Sequence, residues 1–175
     1  MDRSYKEIFP QITTLIFDVD GVLTNGIVTV FPDGQLIRQM NIKDGYALKA
    51  AVNAGLRVCV ISGGKNEGVR TRLENLGVTD IYLNAHNKID QFNELVSKYD
   101  LDPENVMYMG DDIPDVPVMK LVGMPCCPND AVREIQQISQ YISDKKGGEG
   151  CVRDVIEQIL RVQGKWQSNF YNAQA

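Results

Sequence analysis

Residues 14–21 read TLIFDVDG, an apolar run of four residues that is followed at once by two aspartates and a glycine. Two later runs have the same form: VCVI at 58–61 precedes Ser62, and VMYM at 106–109 precedes Gly110 and two aspartates. Short, apolar, β-prone runs are typical of strands that are covered on both faces of a parallel sheet. We therefore expect a buried parallel sheet whose strands end in polar residues.

The rest of the chain alternates strand-like and helix-like patterns, which predicts a doubly wound, Rossmann-like α/β fold: a three-layer sandwich around a mostly parallel sheet. Gly55 and Gly77 follow two of the helical patterns and suit the left-handed position that ends a helix. Apolar stripes with helical spacing mark two further helices near the middle and the end of the chain. The predicted helices cover residues 44–54, 67–76, 88–99 and 152–160.

An insertion at residues 26–41 interrupts this alternation. The segments 27–31 and 36–40 are β-like and flank Pro32-Asp33-Gly34, so they predict a β-hairpin. The hairpin is apolar on both faces, through Ile27, Val28, Val30, Phe31, Leu36, Ile37 and Met40. Large apolar patches usually mark interfaces, and copies of one chain usually assemble with closed symmetry. The hairpin therefore predicts a homo-oligomer.

Length and composition predict one soluble domain over residues 1–164 and a C-terminal tail at 165–175. The chain has 175 residues, of which 43% are hydrophobic, enough for a single core. The formal net charge of -5 and the pI near 4.9 argue against a nucleic-acid partner. The first ten residues are charged and mixed, and the apolar runs are too short to span a bilayer, so we expect no membrane partner and a cytoplasmic location.

Four cysteines, Cys59, Cys126, Cys127 and Cys151, show neither the spacing of a zinc site nor a CxxC motif. Adjacent cysteines such as Cys126 and Cys127 seldom bond to each other. We expect reduced, buried thiols.

The polar residues at the strand ends predict a ligand site. In open α/β sheets, ligands bind outside the carboxyl ends of the strands. Asp18, Ser62 and Asp111 would converge there with the ammonium of Lys88. A phosphate monoester needs a nucleophile, charge neutralisation and protonation of the leaving group, and this set of side chains can supply all three.

Two aspartates of the first motif suit two different roles. Asp18 can attack phosphorus and form an aspartyl phosphate, which splits one difficult step into two. Asp20 can serve as general acid and base, because the chain can turn at the end of the strand and bring its carboxylate to the leaving oxygen. Gly21 permits that turn.

Two carboxylates that face a phosphate dianion require a cation, and oxygen ligands from Asp18 and Asp111 suit Mg²⁺. We expect Ser62, Lys88 and the backbone N–H groups of residues 19–21 and Gly63 to hold the phosphoryl oxygens. We further expect Asp112 and Asp115 to lie behind this set, with Asp115 orienting Lys88 or metal-bound water.

Each motif also has a purely structural interpretation. Asp-x-Asp-Gly is common in turns and helix caps, and Gly110-Asp111-Asp112 can form a turn through Asx hydrogen bonds. Residues 63–66 lack the upstream glycine and the Ser or Thr of a nucleotide-binding P-loop, and glycine follows Asp20 too soon for a calcium loop. His86, the only histidine, fits a surface loop better than a catalytic role, because no serine–histidine triad has support around it. The conjunction at three strand ends favours a catalytic site.

Four segments of the chain resemble, in this order, the four motifs of the haloacid dehalogenase superfamily of phosphohydrolases. They are residues 18–21, Ser62, Lys88 and residues 110–115. The resemblance implies Asp18 as nucleophile, Asp20 as acid and base, and Ser62 and Lys88 as phosphate ligands. It also implies that Mg²⁺ binds Asp18, Asp111 and the main-chain carbonyl of Asp20.

Neither interval between the motifs can hold a separate cap domain. Among capless members, the chain resembles the tetrameric 3-deoxy-D-manno-octulosonate 8-phosphate (KDO 8-phosphate) phosphatases. Local matches lie at residues 44–46, 70–72 and 147–150. The resemblance implies removal of phosphate from KDO 8-phosphate in lipopolysaccharide sugar biosynthesis, by a homotetramer. Gly63-Gly64-Lys65 departs from this pattern, because relatives often have arginine after Ser-Gly.

The sugar end of this substrate carries a carboxylate, which a guanidinium suits better than an ammonium. Arg70 and Arg72 are the candidates, and because they lie two positions apart on a helix, at most one should face the sugar. The alternative is that both pair with Glu67 or Glu74 on the helix surface. We expect Asp44, Lys65 and Glu67 to be available for sugar hydroxyls, and the tail at 165–175 to be able to close over the site.

Three other functions remain open at this point. One is a nonulosonate (KDN or sialic acid) 9-phosphate phosphatase of the same fold, and another is a general phosphatase of small metabolites. A third, of a different class, is a non-catalytic tetramerisation domain like those attached to sugar nucleotidyltransferases. The presence of Asp18, Asp20, Lys88 and Asp111 disfavours this third function.

Overall fold

A computed structural model describes residues 4–166 of the chain. The strands are β1 Thr14–Phe17, β2 Thr29–Val30, β3 Leu36–Ile37, β4 Arg57–Ile61, β5 Asp80–Tyr82, β6 Val106–Met109, β7 Met124–Cys127 and β8 Tyr141–Ile142. The α-helices are α1 Tyr5–Ile8, α2 Ile42–Asn53, α3 Glu67–Glu74, α4 Lys88–Tyr99, α5 Val116–Met119, α6 Arg133–Ile138 and α7 Cys151–Val162. Short 3₁₀ turns lie at Phe9–Gln11, Pro103–Asn105 and Ile113–Asp115.

The central sheet has six strands in the order β5-β4-β1-β6-β7-β8, and every neighbouring pair is parallel. β1 lies in the middle, with Phe17 opposite Val60 of β4 and Met109 of β6. The carboxyl ends of these three strands therefore meet at one edge, and the predicted fold class is confirmed.

Helices cover both faces of this sheet. Leu15 and Phe17 of β1 point to the face packed by α2, α3 and α7, whereas Ile16 points to the face packed by α4, α5 and α6. All three side chains are fully buried. Replacing such an enclosed leucine by alanine typically costs about 2 to 5 kcal/mol, so the platform beneath the strand ends is well packed. The four cysteines are buried and free, as expected.

The helix ends follow local capping. α2 begins at Ile42, two residues before the predicted start, because the side chain of Asn41 accepts a hydrogen bond from the backbone N–H of Lys43 at 2.9 Å. Gly55 and Gly77 adopt φ of 84° and 88°, the left-handed conformation that the sequence predicted. No helix in the described residues is both long and apolar enough to cross a bilayer.

The inserted hairpin is present, but its strands are much shorter than predicted. β2 and β3 have two residues each, and Phe31 N donates to Gln35 O at 2.9 Å to close the turn. Ile27 and Val30 are each 68% exposed, and no core formed by the described residues covers them, so nothing there favours a longer ladder.

The packed part of the chain extends beyond the predicted boundary at residue 164. Trp166 is 2% exposed, and its ring meets Tyr46 edge-on with the centroids 6.3 Å apart. The remainder of the predicted tail, residues 167–175, lies outside the described residues.

Candidate active site

The turn after β1 places the first two aspartates. Asp18 is 6% exposed, and its Oδ1 accepts a hydrogen bond from Val19 N at 2.6 Å. The chain then turns at Asp20 and Gly21, where Gly21 has φ of 88°. A Cβ at Gly21 would overlap the carboxylate of Asp111, so glycine is needed both for the turn and for the approach of the loop after β6.

The loop before α7 supports this turn from behind. Gly148 N donates to Val22 O at 2.9 Å, and a Cβ at Gly147 would overlap the carbonyl oxygen of Gly21. The glycines of residues 147–150 thus allow two backbones to touch next to Asp20.

Lys88, the first residue of α4, joins two aspartates. Its Nζ lies 2.7 Å from Asp18 Oδ2 and 2.6 Å from Asp115 Oδ1, and its side chain is only 6% exposed. Burial alone would lower the pKa of Lys88, but the charges and hydrogen bonds of Asp18 and Asp115 outweigh burial and raise it above the ordinary value. Lys88 is therefore a fixed positive charge.

Asp115 holds Lys88 in place. Besides Lys88, its Oδ1 accepts from the hydroxyl of Tyr108 at 2.6 Å, and its Oδ2 accepts from Asp111 N at 3.0 Å and Asp112 N at 3.3 Å. Asp115 and the carboxylates of Asp18 and Asp111 lie close enough to share a cation. Because four donors already occupy both oxygens of Asp115, we assign it to orienting Lys88 rather than to the metal.

Asp112 supports the same loop. Its Oδ1 accepts from Ile113 N at 2.8 Å, and it forms a reciprocal cap with Asp115 across the turn at Ile113–Asp115. This turn fixes the direction in which Asp111 points.

Asp18 and Asp111 fit a divalent cation. Asp111 Oδ1 is buried and has no hydrogen-bond partner among the described residues. Burial, and then the charge of Asp115, raise the pKa of Asp18 to about 6; burial, and then the charge of Asp18, raise the pKa of Asp111 to about 8. Lys88 cannot balance three carboxylates. The surplus negative charge and the hard oxygen donors are those that suit Mg²⁺.

Ser62 lines the same cavity as these carboxylates and directly follows β4. It is 2% exposed, and its Oγ accepts from Gly64 N at 3.2 Å, which leaves its own proton available to a phosphoryl oxygen. The cavity has a volume of about 470 Å³. It is lined by Asp18, Asp20, Gly26, Ser62, Gly63, Gly64, Ala85, His86, Lys88, Asp111, Asp112, Pro114 and Asp115.

Two of the backbone donors expected to hold phosphate are already in use. Val19 N donates to Asp18, and Gly21 N donates to Thr24 Oγ1 at 3.3 Å. Their hydrogen bonds shape the turn.

Two residues near the site, Arg38 and Tyr108, were missed by sequence reasoning, and a third, His86, was interpreted as a surface-loop residue. Arg38, from the end of the hairpin, binds Asp20 through two hydrogen bonds. His86 lines the cavity, and Tyr108 supports Asp115 from within β6. Each has a signal in the sequence. Arg38 is a lone cation in an apolar hairpin, His86 lies two residues before Lys88, and Tyr108 places a hydroxyl inside an apolar strand.

The sugar-binding candidates separate into two groups. Arg72 and Lys65 line a second cavity of about 670 Å³ beside the hairpin, together with Arg38. Arg70 is engaged within the fold, because its Nη1 donates to Ile81 O at 3.2 Å and its Nε lies 3.4 Å from Glu67.

The predicted sugar contact at Asp44 is wrong. Asp44 is 1% exposed, and its Oδ1 accepts from Arg153 N at 2.8 Å, so it satisfies a free N–H group at the start of α7. A carboxylate committed to a helix N-terminus inside the fold cannot reach sugar hydroxyls.

Comparison with known proteins agrees with this site. The haloacid dehalogenase-like hydrolase family profile matches residues 77–156. The chain is 38% identical to 3-deoxy-D-manno-octulosonate 8-phosphate phosphatase KdsC of Escherichia coli K12 over 155 residues, which are 89% of this chain and 82% of the relative.

Solved structures of similar proteins share the fold over most of the chain. The KDO 8-phosphate phosphatase of Yersinia pestis superimposes with a TM-score of 0.90 at 32% identity, covering 93% of this chain and 88% of the other. The phosphatase of Moraxella catarrhalis, solved with magnesium, phosphate and KDO, gives a TM-score of 0.92 at 27% identity and 97% coverage of both chains. The chain therefore belongs to the 3-deoxy-D-manno-octulosonate 8-phosphate phosphatase family of haloacid dehalogenase-like hydrolases.

Proposed function

We propose that this chain is a magnesium-dependent phosphatase that converts KDO 8-phosphate to KDO and phosphate, and so supplies KDO for lipopolysaccharide. The observation that carries the proposal is the surplus of carboxylate charge beside Lys88 and Ser62 in one cavity. The names of the relatives from E. coli and Moraxella catarrhalis support this choice of substrate.

Asp18 is the proposed nucleophile. Its oxygen forms a bond to phosphorus while the bond from phosphorus to the sugar oxygen breaks, and Asp20 gives its proton to that oxygen. Lys88, fixed at 2.7 Å from Asp18, and Ser62 neutralise and bind the phosphoryl oxygens. Asp18, Asp111 and the carbonyl of Asp20 would hold Mg²⁺, which neutralises charge on the phosphoryl group.

The second half-reaction returns the enzyme to its starting state. A water oxygen bonds to phosphorus, the bond from phosphorus to Asp18 breaks, and the proton of the water moves to Asp20. Asp20 is then protonated again for the next substrate, so the cycle consumes one water and one phosphate ester.

The test is phosphate release from a panel of esters by the purified protein. We expect KDO 8-phosphate to give the highest kcat/KM, above KDN 9-phosphate, sialic acid 9-phosphate and a small aryl phosphate. Asp18→Asn and chelation with EDTA should each abolish turnover. A clear preference for a 9-phosphate would identify the nonulosonate phosphatase instead, and retained activity in Asp18→Asn would refute the proposed chemistry.

Among the sugar contacts, we propose Arg72 for the substrate carboxylate. It lines the cavity next to the hairpin, whereas Arg70 is held by Ile81 and Glu67. Arg72→Ala should lower kcat/KM for KDO 8-phosphate by about 10- to 100-fold while sparing an aryl phosphate, and Arg70→Ala should spare both. Equal losses on both substrates would contradict this assignment.

We also propose a homotetramer assembled through the hairpin. Ile27, Val30, Phe31 and Ile37 are each more than two-fifths exposed in the single chain, which leaves an apolar surface for a second copy. A monomeric mass in analytical ultracentrifugation at micromolar concentration would refute it. The cytoplasmic location and the closure of the tail over the site remain predictions from the sequence.

A further inference from the structure

The carboxylate of Asp20 is held by a guanidinium from the hairpin. Arg38 Nε lies 2.6 Å from Asp20 Oδ1, and Arg38 Nη2 lies 2.9 Å from Asp20 Oδ2. The side chain of Arg38 is 6% exposed and that of Asp20 is 36% exposed. A planar fork that donates to both oxygens fixes the orientation of a carboxylate as well as its position.

This ion pair forms the wall between two cavities. Asp20 lines the cavity that contains Asp18, and Arg38 lines the neighbouring cavity beside the hairpin. A Cβ on Gly64 would lie 2.9 Å from Asp20 Oδ2 and 3.1 Å from Arg38 Nη2, so glycine leaves the pair the room that it needs. Arg38 therefore reaches Asp20 from the hairpin, and it is not among the residues that line the cavity with Asp18.

Stability alone is a weak reason for such a pair. The buried guanidinium of Arg38 costs desolvation that its attraction to Asp20 often only balances, and water screens the more exposed carboxylate of Asp20. A role in setting the geometry of Asp20 explains the pair better.

We infer that Arg38 is a positioning residue that holds Asp20 as the proton acceptor for hydrolysis of the phosphoenzyme. This inference rests on the proposed function. With both oxygens facing N–H donors of Arg38, the remaining lone pairs of Asp20 are held in the cavity with Asp18. In that half-reaction the water oxygen bonds to phosphorus, the bond to Asp18 breaks, and the water proton moves to Asp20.

An aryl phosphate isolates this step. Nitrophenolate leaves without a proton, so formation of the phosphoenzyme from p-nitrophenyl phosphate does not depend on Asp20. Hydrolysis of the phosphoenzyme does depend on Asp20, because the attacking water must lose a proton. The variant Arg38→Met should therefore form phosphoenzyme normally and hydrolyse it slowly.

The experiment is rapid-mixing kinetics on the intact protein with magnesium present. For Arg38→Met, we expect kcat to fall by about 10- to 100-fold and KM to fall with it, so that kcat/KM stays within about threefold of wild type. A burst of nitrophenolate should approach one per active subunit, and acid quenching should show accumulated phosphoenzyme.

Two further variants make the comparison specific. Arg38→Lys keeps the charge but loses the fork, and it should give an intermediate kcat with the same split between kcat and KM. Arg161→Met removes another arginine that donates twice to a glutamate, Glu157, on the surface of α7, and it should behave as wild type. If Arg38→Met does not fold, Arg38→Lys tests the inference alone: kcat and KM should fall together while kcat/KM stays near the wild-type value.

The outcomes separate this inference from the proposed function. An unchanged kcat in both Arg38 variants overturns the positioning role. A parallel loss of kcat and kcat/KM without accumulated phosphoenzyme also overturns it, because that pattern indicates a substrate contact or a damaged fold. If wild type itself forms no phosphoenzyme on Asp18, the proposed function fails first.

Discussion

Two aspartates at different places in the fold, Asp115 and Asp80, each accept hydrogen bonds from a lysine ammonium and a tyrosine hydroxyl. The donors are Lys88 and Tyr108 for Asp115, and Lys98 and Tyr99 for Asp80. Asp115 follows β6 at the carboxyl edge of the sheet, and Asp80 begins β5 at the amino edge. The same three residue types thus occur in a catalytic cavity and in a structural cluster.

The difference between the two clusters is their charge balance. Asp80 faces a second cation, because Arg57 lies 3.6 Å away and stacks on the ring of Tyr99. Burial raises the pKa of Asp80, but the hydrogen bonds from Lys98 and Tyr99 outweigh burial and hold it below the ordinary value. Asp80 is therefore stable as a carboxylate without any ligand.

Asp115 and Lys88, by contrast, lie beside two further carboxylates. Burial and the neighbouring negative charges raise the pKa of Asp18 to about 6 and that of Asp111 to about 8. This surplus of negative charge, rather than the residue types, marks the cluster as a site that needs a cation.

The largest expected effect is the difference in kcat/KM between the variants Asp111→Asn and Asp80→Asn. Asp111→Asn removes a proposed metal ligand and should lower kcat/KM by about 100- to 1000-fold. It also removes charge repulsion, so Tm of the protein in EDTA should rise. Steady-state kinetics and thermal unfolding of each variant measure both effects.

Asp80→Asn should do the reverse. Turnover per folded subunit should stay at the wild-type level. Tm should fall by roughly 5 °C, because Lys98 and Tyr99, which donate hydrogen bonds to Asp80, lose a charged acceptor. Loss of turnover in Asp80→Asn, or its retention in Asp111→Asn, would remove the distinction between the clusters.

A smaller effect distinguishes the two tyrosines. Tyr108→Phe removes one donor from Asp115 Oδ1 and should lower kcat by about 3- to 10-fold, because Lys88 is then held less firmly. Tyr99→Phe removes the matching donor from Asp80 and should leave kcat unchanged. The two variants should lose similar free energy of unfolding, about 1 kcal/mol, by urea denaturation. Equal kinetics in both variants would argue against a role for Tyr108 in positioning Lys88.

The last comparison concerns pH and magnesium. The folded-state pKa values of Asp18 and Asp111, about 6 and about 8, lie above the ordinary value of 3.8, so the folded state binds more protons than the unfolded state within this window. The free energy of unfolding in EDTA should therefore fall as pH rises from about 4 to about 8. The fall in stability should also appear as a fall in Tm. With saturating magnesium, Tm should fall by several degrees less over the same pH range, because the cation stabilises the ionised carboxylates.

Thermal unfolding between about pH 5 and pH 8, with EDTA or with magnesium, measures this effect. In the Asp80→Asn variant, the curves of Tm against pH in EDTA and in magnesium should differ as much as in the wild-type protein. In the Asp111→Asn variant, most of that difference should disappear. Parallel curves for the wild-type protein would show that the carboxyl edge carries no such charge surplus.

The sequence predicted the parts of the molecule that depend on local pattern. The strands at 14–17 and 106–109 lie where predicted, because their apolar runs and following turns are encoded within a few residues. The motif positions Asp18, Ser62 and Lys88 meet in one cavity because the carboxyl ends of parallel strands share one edge.

Features that depend on distant contacts could not be predicted. Asp44 resembled a polar residue of the site, but it serves a helix that begins more than 100 residues later, at Cys151. Arg38 lies 18 positions from Asp20, and the hairpin that carries it has no periodic signal for the direction of its side chain. Both depend on how separate segments pack.

The most direct test of the central claim is to locate the phosphate during turnover. The wild-type protein would be quenched in acid while it hydrolyses KDO 8-phosphate with magnesium, and then reduced with borohydride, which converts an aspartyl phosphate to homoserine. Peptide mass spectrometry should then find homoserine at position 18, and only in samples that contained both magnesium and substrate. Homoserine at another aspartate, or unmodified Asp18 under rapid turnover, would contradict the account.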